Sequence, residues 1–346
     1  MIRATGVPGP RHGVLDRTMR AVQATAPGGP EVLSVVELPD PVPEPEQVVV
    51  QVEAAGVNFI DTYRRSGRYP TPFPHIVGSE GAGTVLAVGS DVHGVSVGDT
   101  VAWVAGTEGS YAERARLLAE QAVPVPAGVP ATVAAAVLLQ GITAQYLVTS
   151  TFPVSPGQDV LVHAGAGGVG LLLTQLAVAR GARVITTVSS DEKADLSRAA
   201  GAADVIRYDQ LTDLPKDLPP LVRSLTGGHG VHTVFDGVGA ATFEASLACL
   251  RTRGGMALFG GSSGAVPPFD PMRLENLGSL FLTRPTIRHY TATRTELLER
   301  AGELFDRIAA GSLHVRVGAE FALDDAAEAH RALEGRRTTG KVLIVP

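Results

Sequence analysis

Cysteine is almost missing from this chain, with Cys249 the single one in 346 residues. One thiol cannot close an intrachain disulfide, nor build a structural zinc cage of the kinds that need two or more thiolates. A reducing compartment, the cytoplasm, is the expected setting. Aromatic residues are scarce at 5%, and no block of one charge sign occurs: 29 Lys and Arg stand against 35 Asp and Glu, for a net charge of −6. That balance argues against nucleic acid as a partner. Long apolar runs are absent too. The best candidate, residues 133–148, is broken by Gln140 and Gln145 and falls short of the roughly 20 residues that cross a bilayer, so no membrane partner is expected. Residues 1–18 carry Arg3, Arg11 and Arg17 without an apolar core, which argues against a secretory signal and predicts a flexible extension before Met19. None of the nine histidines stands in the H-E-x-x-H spacing of a helical zinc site.

Glycine, at 40 residues, and proline, at 24, are plentiful, which predicts tight turns and close backbone approaches. At about 100–200 residues per domain the chain is long enough for two. Residues 19–127 hold short valine-rich runs, such as 48–52 and 83–88, separated by Pro and Gly clusters. This is the pattern of a small antiparallel barrel or sandwich. Residues 141–283 instead alternate β-branched runs (160–164, 183–188, 204–207, 231–236, 256–259 and 280–282) with helical segments. They predict an α/β fold with a doubly wound parallel sheet. The helix after the first of these strands places Val169, Leu172, Leu173 and Leu176 on one face. Residues 284–346 read as helices over 295–310 and 324–334 and a strand over 341–345, which should return to the first domain. The expected division is a catalytic domain from 19–140 and 286–346 around a cofactor domain from 141–285.

The strongest local signal is Asp159-Val-Leu-Val-His-Ala-Gly-Ala-Gly-Gly-Val-Gly170. Gly165, Gly167 and Gly170 satisfy G-x-G-x-x-G between a strand and a helix. Gly165 would take the tight turn, Gly167 would admit a pyrophosphate, and Gly170 would allow close helix–sheet contact. The helix start at Gly168 and Val169 offers N–H groups to phosphate. A dinucleotide is therefore the expected cofactor. After the second strand come Ser189, Ser190, Asp191, Glu192 and Lys193. Serine hydroxyls and the Lys193 ammonium suit a ribose 2′-phosphate, which favours NADPH. Asp191 is the contrary signal, because a carboxylate at the 2′-hydroxyl selects NAD. His163, within the strand, is expected to be packed or hydrogen-bonded rather than catalytic.

With Gly56-Val-Asn-Phe-Ile-Asp-Thr-Tyr63, Ser66-Gly-Arg-Tyr-Pro70, Gly78-Ser-Glu-Gly-Ala-Gly83, Phe259-Gly-Gly-Ser-Ser-Gly264 and Thr283-Arg-Pro285, the glycine loop resembles the zinc-free quinone oxidoreductases related to zeta-crystallin. These belong to the medium-chain dehydrogenase/reductase superfamily, and the resemblance spans nearly the whole chain after Met19. It implies a GroES-like β-barrel catalytic domain, a Rossmann domain, NADPH, and a homodimer formed through the cofactor domains. Zinc-bearing relatives place Cys where this chain has Asn58 and His where it has Ser79. Neither residue supplies a thiolate or an imidazole, so no metal is expected.

The implied chemistry is metal-free transfer of a hydride, or of successive single electrons, from the nicotinamide to a quinone, or of a hydride to the β-carbon of an activated alkene. By the resemblance, Asn58 and Tyr63 are the catalytic candidates at the nicotinamide end, with Thr143 close by. Tyr208 would serve the adenosine side, and Phe259, Gly260, Ser262 and Ser263 the nicotinamide groove. Arg284 and Pro285 complete the implied cofactor set, with Arg336 reaching the phosphates from the returning domain. Relatives often carry Asn where this chain has Gly261 and lack glycine where it has Gly165, which leaves substrate contacts at 261 open. Arg64, Arg65 and Arg68 make the entrance beyond Tyr63 basic, either to favour anionic acceptors or as solvated ion pairs. Competing readings are an enone or enoyl reductase, a non-enzymatic NADPH-binding or structural protein, and a zinc alcohol dehydrogenase.

Overall fold

The computed structural model describes residues 17–104 and 109–346. The expected extension lies outside them save for Arg17 and Thr18, and Thr18 already opens the first strand. β1 (Thr18–Ala24) pairs with β2 (Leu33–Pro39). After β3 (Gln47–Val57) and the helix α1 (Phe59–Arg65), the chain returns to β1 through β4 (His75–Ile76). β3 is central to a second sheet. It pairs with β5 (Glu80–Val88) and β7 (Arg114–Leu118), and beyond β5 the sheet continues through β6 (Thr100–Val104) to β8 (Val123–Pro124) at the edge. The valine-rich pattern follows from this placement, since β-branched side chains fit a pleated surface. Val48, Val50 and Val52 pack with Trp103 and Leu117, while Ala54 joins a different core.

That other core forms around α2 (Ala131–Tyr146), which runs on as a π-helical turn over Leu147–Thr151. The apolar run is thus longer than the sequence expectation, because both glutamines are accommodated inside one 21-residue helical stretch. By length and composition it could span a bilayer, yet 78% of its most apolar window is buried in the protein. Gln145 accepts from Arg300 Nη1 at 2.6 Å, so the polar break in the run is a buried partner.

The parallel sheet comprises β9 (Asp159–His163), β10 (Arg183–Val188) and β11 (Asp204–Arg207) on one side. β12 (Val231–Asp236), β13 (Leu250–Leu258) and β14 (Phe281–Thr283) complete it in the order β11-β10-β9-β12-β13-β14. The helices α3 (Gly168–Ala179), α4 (Asp191–Ala199), α5 (Leu214–Leu225), α6 (Phe243–Cys249) and α7 (Met272–Asn276) connect these strands. The order reverses between β9 and β12, and ligands of such sheets bind at that switch point. Predicted strands lie within one residue of the observed ones, except the fifth. β13 starts six residues before the predicted 256, because exposed Arg251, Thr252 and Arg253, the last at φ +59, hide the alternation.

The remaining chain forms α8 (Arg294–Ala309), β15 (Val317–Ala322), α9 (Ala326–Glu334) and β16 (Lys341–Val345). β16 runs antiparallel to β3 with Val342 opposite Val57, so the chain does return to the first sheet. α8 packs on α2 where Gly141 leaves room: a Cβ there would lie 2.9 Å from Leu304 Cδ1. Leu304 is fully buried. Leu304→Ala should therefore lower unfolding free energy by about 2–5 kcal/mol, read from urea denaturation.

Candidate active site

A cleft of ≈ 290 Å³ opens between the C-terminal ends of the parallel strands and the β3–α1 and β16 segments of the first sheet. Its floor is the glycine loop. The left-handed residue of that turn is Ala164, at φ +55, rather than Gly165. Gly165 is needed for another reason, since a Cβ there would come within 2.6 Å of Thr186 Cβ and 2.8 Å of Ser197 Oγ. Gly170 lets α3 lie on the turn, as a Cβ would meet the Ala164 carbonyl oxygen at 2.2 Å. The first-turn N–H groups of α3, at Gly168, Val169 and Gly170, have no intrahelical acceptors and border the cleft. From the other side, Gly340 forms a parallel bridge with Gly167 and donates its N–H to the Ala166 carbonyl at 2.9 Å.

Ser189, Lys193, Tyr208 and Arg336 gather at one end of the cleft. Ser190 caps α4 and turns Lys193 inward. The Lys193 ammonium donates to Ser189 Oγ at 3.3 Å and to the Arg336 carbonyl at 2.7 Å, which ties the two domains across the opening. Asp191 is not part of this wall. Its carboxylate is held by Arg207, which also binds Asp209. The contrary signal for NAD is thus neutralised and turned to solvent.

The opposite end is built on Asn58. Its Nδ2 donates to Glu80 Oε1 at 2.7 Å and to the Gly56 carbonyl at 3.2 Å, while its Oδ1 accepts from Lys341 Nζ at 3.0 Å and Gln140 Nε2 at 3.3 Å. The amide's hydrogen-bonding capacity is filled. Glu80 also binds Lys341 directly and accepts the Leu139 N–H at 2.8 Å. The group left over is Gln140 Oε1, buried at the cleft wall with no partner among the described residues. It lies where a Cβ on Gly168 would be, 1.8 Å away. Gln140, Glu80 and Lys341 escaped the sequence reading. A lone lysine opening the apolar strand Lys-Val-Leu-Ile-Val and a lone acid between Ser79 and Gly81 were the available signals.

The two positions where zinc-bearing relatives have ligands, Asn58 and Ser79, are joined by Asp61. The Asn58 N–H donates to Asp61 Oδ2 at 2.9 Å, and Ser79 Oγ donates to Oδ1. Burial lifts the Asp61 carboxyl to about 6 against the pull of the Ser79 hydroxyl and Arg64. Tyr111 Oη also reaches Asp61, at 3.3 Å, and contacts His330 Nε2 at 3.3 Å. His330 Nδ1 faces Arg65 Nη1 at 3.0 Å, so the neutral ring accepts there and carries its proton on Nε2. Burial, with Arg65 beside it, pushes His330 down to about 3. Among the described residues no three His, Cys, Asp or Glu side chains are grouped to hold a metal. His163 borders the cleft but is buried, with its ring nitrogens 2.8 Å from Thr187 Oγ1 and 3.0 Å from Ser246 Oγ. Burial lowers its pKa.

Of the other anticipated residues, Gly167, Phe259 and Ser262 border the cleft. Thr143, Gly165, Gly260, Ser263, Arg284, Pro285 and Tyr63 do not. The Thr143 hydroxyl is spent on the Leu139 carbonyl at 2.7 Å, and Ser263 Oγ on the Val238 carbonyl at 2.8 Å. Gly260 lets the loops after β12 and β13 meet, since a Cβ would lie 2.3 Å from the Gly237 carbonyl oxygen. Pro285 is buried behind Arg284. Tyr63 stands one ring behind the wall residue Phe59, at 6.2 Å between centroids.

Comparison with known proteins places this architecture. Residues 44–127 match the alcohol dehydrogenase GroES-like domain and residues 168–307 the zinc-binding dehydrogenase family. A quinone oxidoreductase of Pseudomonas aeruginosa is 44% identical over 94% of this chain and 99% of its own length. A 2-haloacrylate reductase of a Burkholderia species is 40% identical over 92% of this chain and 96% of its own. A mycobacterial protein solved in complex with NADPH is 50% identical, with a TM-score of 0.91 over 95% of this chain and all of that one.

The buried histidine predicts an acid-sensitive fold. Folded His330 refuses a proton that the unfolded chain takes up below about pH 6.5, so its contribution to stability is lost as pH falls toward about 3. Asp61 acts the other way, holding a proton that the unfolded chain releases between about 4 and 6. Between pH 7 and pH 4.5, His330→Leu should lose about 2–3 kcal/mol less than the unaltered protein in urea denaturation, the Asp61 contribution being common to both.

Proposed function

The chain belongs to the quinone oxidoreductases of the medium-chain dehydrogenase/reductase superfamily, and from that membership we infer an NADPH-dependent reductase that acts on quinones without a metal. The observation that carries the reading is the polarity of the cleft. A hydroxyl and cation set at Ser189 and Lys193 marks one end, and an orphaned amide oxygen on Gln140 lies against the α3 N-terminus at Gly168. These groups fit a dinucleotide phosphorylated on its adenosine ribose. Bound NADPH supplies the hydride, so that a quinone gains two electrons and, with one proton from solvent or Tyr63, leaves as the hydroquinone.

The protein's part is placement. The α3 N-terminus would receive the pyrophosphate, Gly167 leaving room for it, while Gly165 and Gly170 let the loop and the helix pack behind it. Ser189, Lys193, Tyr208 and Arg336 hold the 2′-phosphate end. Gln140 Oε1, buried beside Gly168, would accept a hydrogen bond from the cofactor, and Asn58 fixes Gln140 in that pose. Phe259 and Ser262 line the nicotinamide groove, while Thr143, Gly260, Ser263, Arg284 and Pro285 shape its frame. Burial raises the pKa of Tyr63, so the phenol keeps its proton at neutral pH and can donate to the acceptor oxygen. The activated-alkene reading stays open as the alternative, supported by the similarity to the Burkholderia reductase. We also propose a cytoplasmic homodimer. Edge strand β14 leaves Phe281 59% exposed, and the nearby Met272 is 55% exposed, an apolar edge suited to a second copy.

An acceptor panel of neutral quinones and vinyl ketones, run with NADPH and NADH, tests the activity directly. Lys193→Ala should raise the KM for NADPH by about tenfold or more, the effect of one lost charge-assisted contact, while leaving NADH nearly unchanged. Equal effects on the two would remove Lys193 from 2′-phosphate recognition.

A further inference from the structure

The three arginines that the sequence places together beyond Tyr63 are separated by the fold. Arg65 is buried, with Nη2 2.7 Å from Glu334 Oε1 and Nη1 against His330. Arg64 donates to Ser79 Oγ at 3.0 Å and stands near Asp61. Arg68 alone is exposed and meets no carboxylate among the described residues. Its guanidinium lies 4.4 Å over the Tyr63 ring, and Nη1 donates to the Gly261 carbonyl at 2.9 Å. Nη2 occupies the space where a side chain at position 261 would begin, since a Cβ there would be 2.7 Å from it. A chain with a larger residue at 261 could not keep Arg68 in this pose.

A second guanidinium converges on the same point. Arg284 donates to the Leu258 carbonyl at 2.7 Å and reaches Tyr69 Oη at 3.4 Å, again with no carboxylate partner among the described residues. Both cations act on Tyr63, a residue only 8% exposed whose Oη has no hydrogen-bond partner among the described residues. Two unneutralised cations beside a buried phenol are unusual on a chain of net charge −6. A stacked guanidinium keeps its outer N–H groups in a fixed plane, where they can meet a carboxylate or sulfonate.

We propose that Arg68, which stands outside the cleft wall but is held on Gly261 next to the lining residue Ser262, makes the protein selective for anionic acceptors, that is, quinones or activated alkenes that carry a carboxylate or sulfonate. The inference rests on the NADPH-reductase reading, in which Lys193, Arg336 and the α3 N-terminus account for the cofactor's phosphates and leave the Arg68 side for the acceptor.

The test compares 1,4-naphthoquinone with its 2-sulfonate in the unaltered protein, Arg68→Leu and Arg68→Lys, at low and high salt. The ratio of the two kcat/KM values, sulfonate over parent, should fall by about tenfold or more in Arg68→Leu, mainly through KM. Turnover of the neutral parent should change by less than about threefold, and Arg68→Lys should retain part of the preference. Rising salt should erode the preference of the unaltered protein and what Arg68→Lys retains of it, and leave the ratio in Arg68→Leu unmoved. An unchanged ratio in Arg68→Leu would overturn the assignment. If the unaltered protein reduces neither quinone, the reductase reading fails on its own account, and calorimetric binding of naphthalene-2-sulfonate to the NADP-loaded protein decides this one. Binding that weakens in Arg68→Leu upholds the assignment, and binding that is absent or unaffected refutes it.

Discussion

A buried ammonium–carboxylate pair, Lys341 with Glu80, holds the cleft in shape. The two residues are 1% and 0% exposed in their side chains, and breaking such a pair leaves an uncompensated charge in a medium of low polarity. Each partner is satisfied by others as well: Glu80 by the Leu139 N–H of α2 and by Asn58 Nδ2, and Lys341 by Asn58 Oδ1. The charges fix which end of the Asn58 amide is oxygen and which is nitrogen, and through it the pose of Gln140. Gly56 makes room for the pair, since a Cβ there would lie 2.3 Å from Glu80 Oε1 and 2.6 Å from Lys341 Cε. The glycine two residues before Asn58 is thus a packing requirement of this ion pair.

The helix α2 carries that arrangement from one sheet to the other. Four consecutive positions do different work: the Leu139 N–H holds Glu80, Gln140 faces the cleft, Gly141 admits α8, and Ile142 is buried in the core. Because a helix turns by 3.6 residues, such neighbours face different directions on one rigid rod. The cleft therefore inherits its dimensions from core packing rather than from loops. The opposite end is fixed by a softer device, the Lys193 bond to the Arg336 carbonyl, which spans the two domains at an exposed edge.

Local pattern made most of the fold readable. The parallel strands, the glycine loop and the returning strand β16 each announce themselves within a dozen residues, and hydrophobic periodicity is a short-range signal. What escaped the sequence depends on contacts between distant segments. Glu80 and Lys341 are 261 residues apart and look like isolated charges until the fold pairs them. Arg64 and Arg65 are adjacent in sequence, yet the turn of α1 sends one to Ser79 and the other to Glu334 and His330. Asn58 was recognised by its type, but its capacity to bind anything further is limited by four neighbours that no spacing rule reveals. The positive φ of the glycine loop falls on Ala164, because the demand on Gly165 comes from Thr186 and Ser197 behind it.

The placement of Lys341 has a consequence for how the protein is made. At synthesis rates of roughly 5–20 residues per second, the 261 residues between Glu80 and Lys341 keep the carboxylate waiting for about 13–50 s while the rest of the chain emerges. During that interval the nascent parallel sheet can assemble from local βαβ units. The β3–β5 sheet, in contrast, holds an acid with no counter-ion, and residues 55–57 of β3 lack the strand that pairs with them. A chain that ends before β16 would hold the parallel sheet but an open, charged seam beside the cleft.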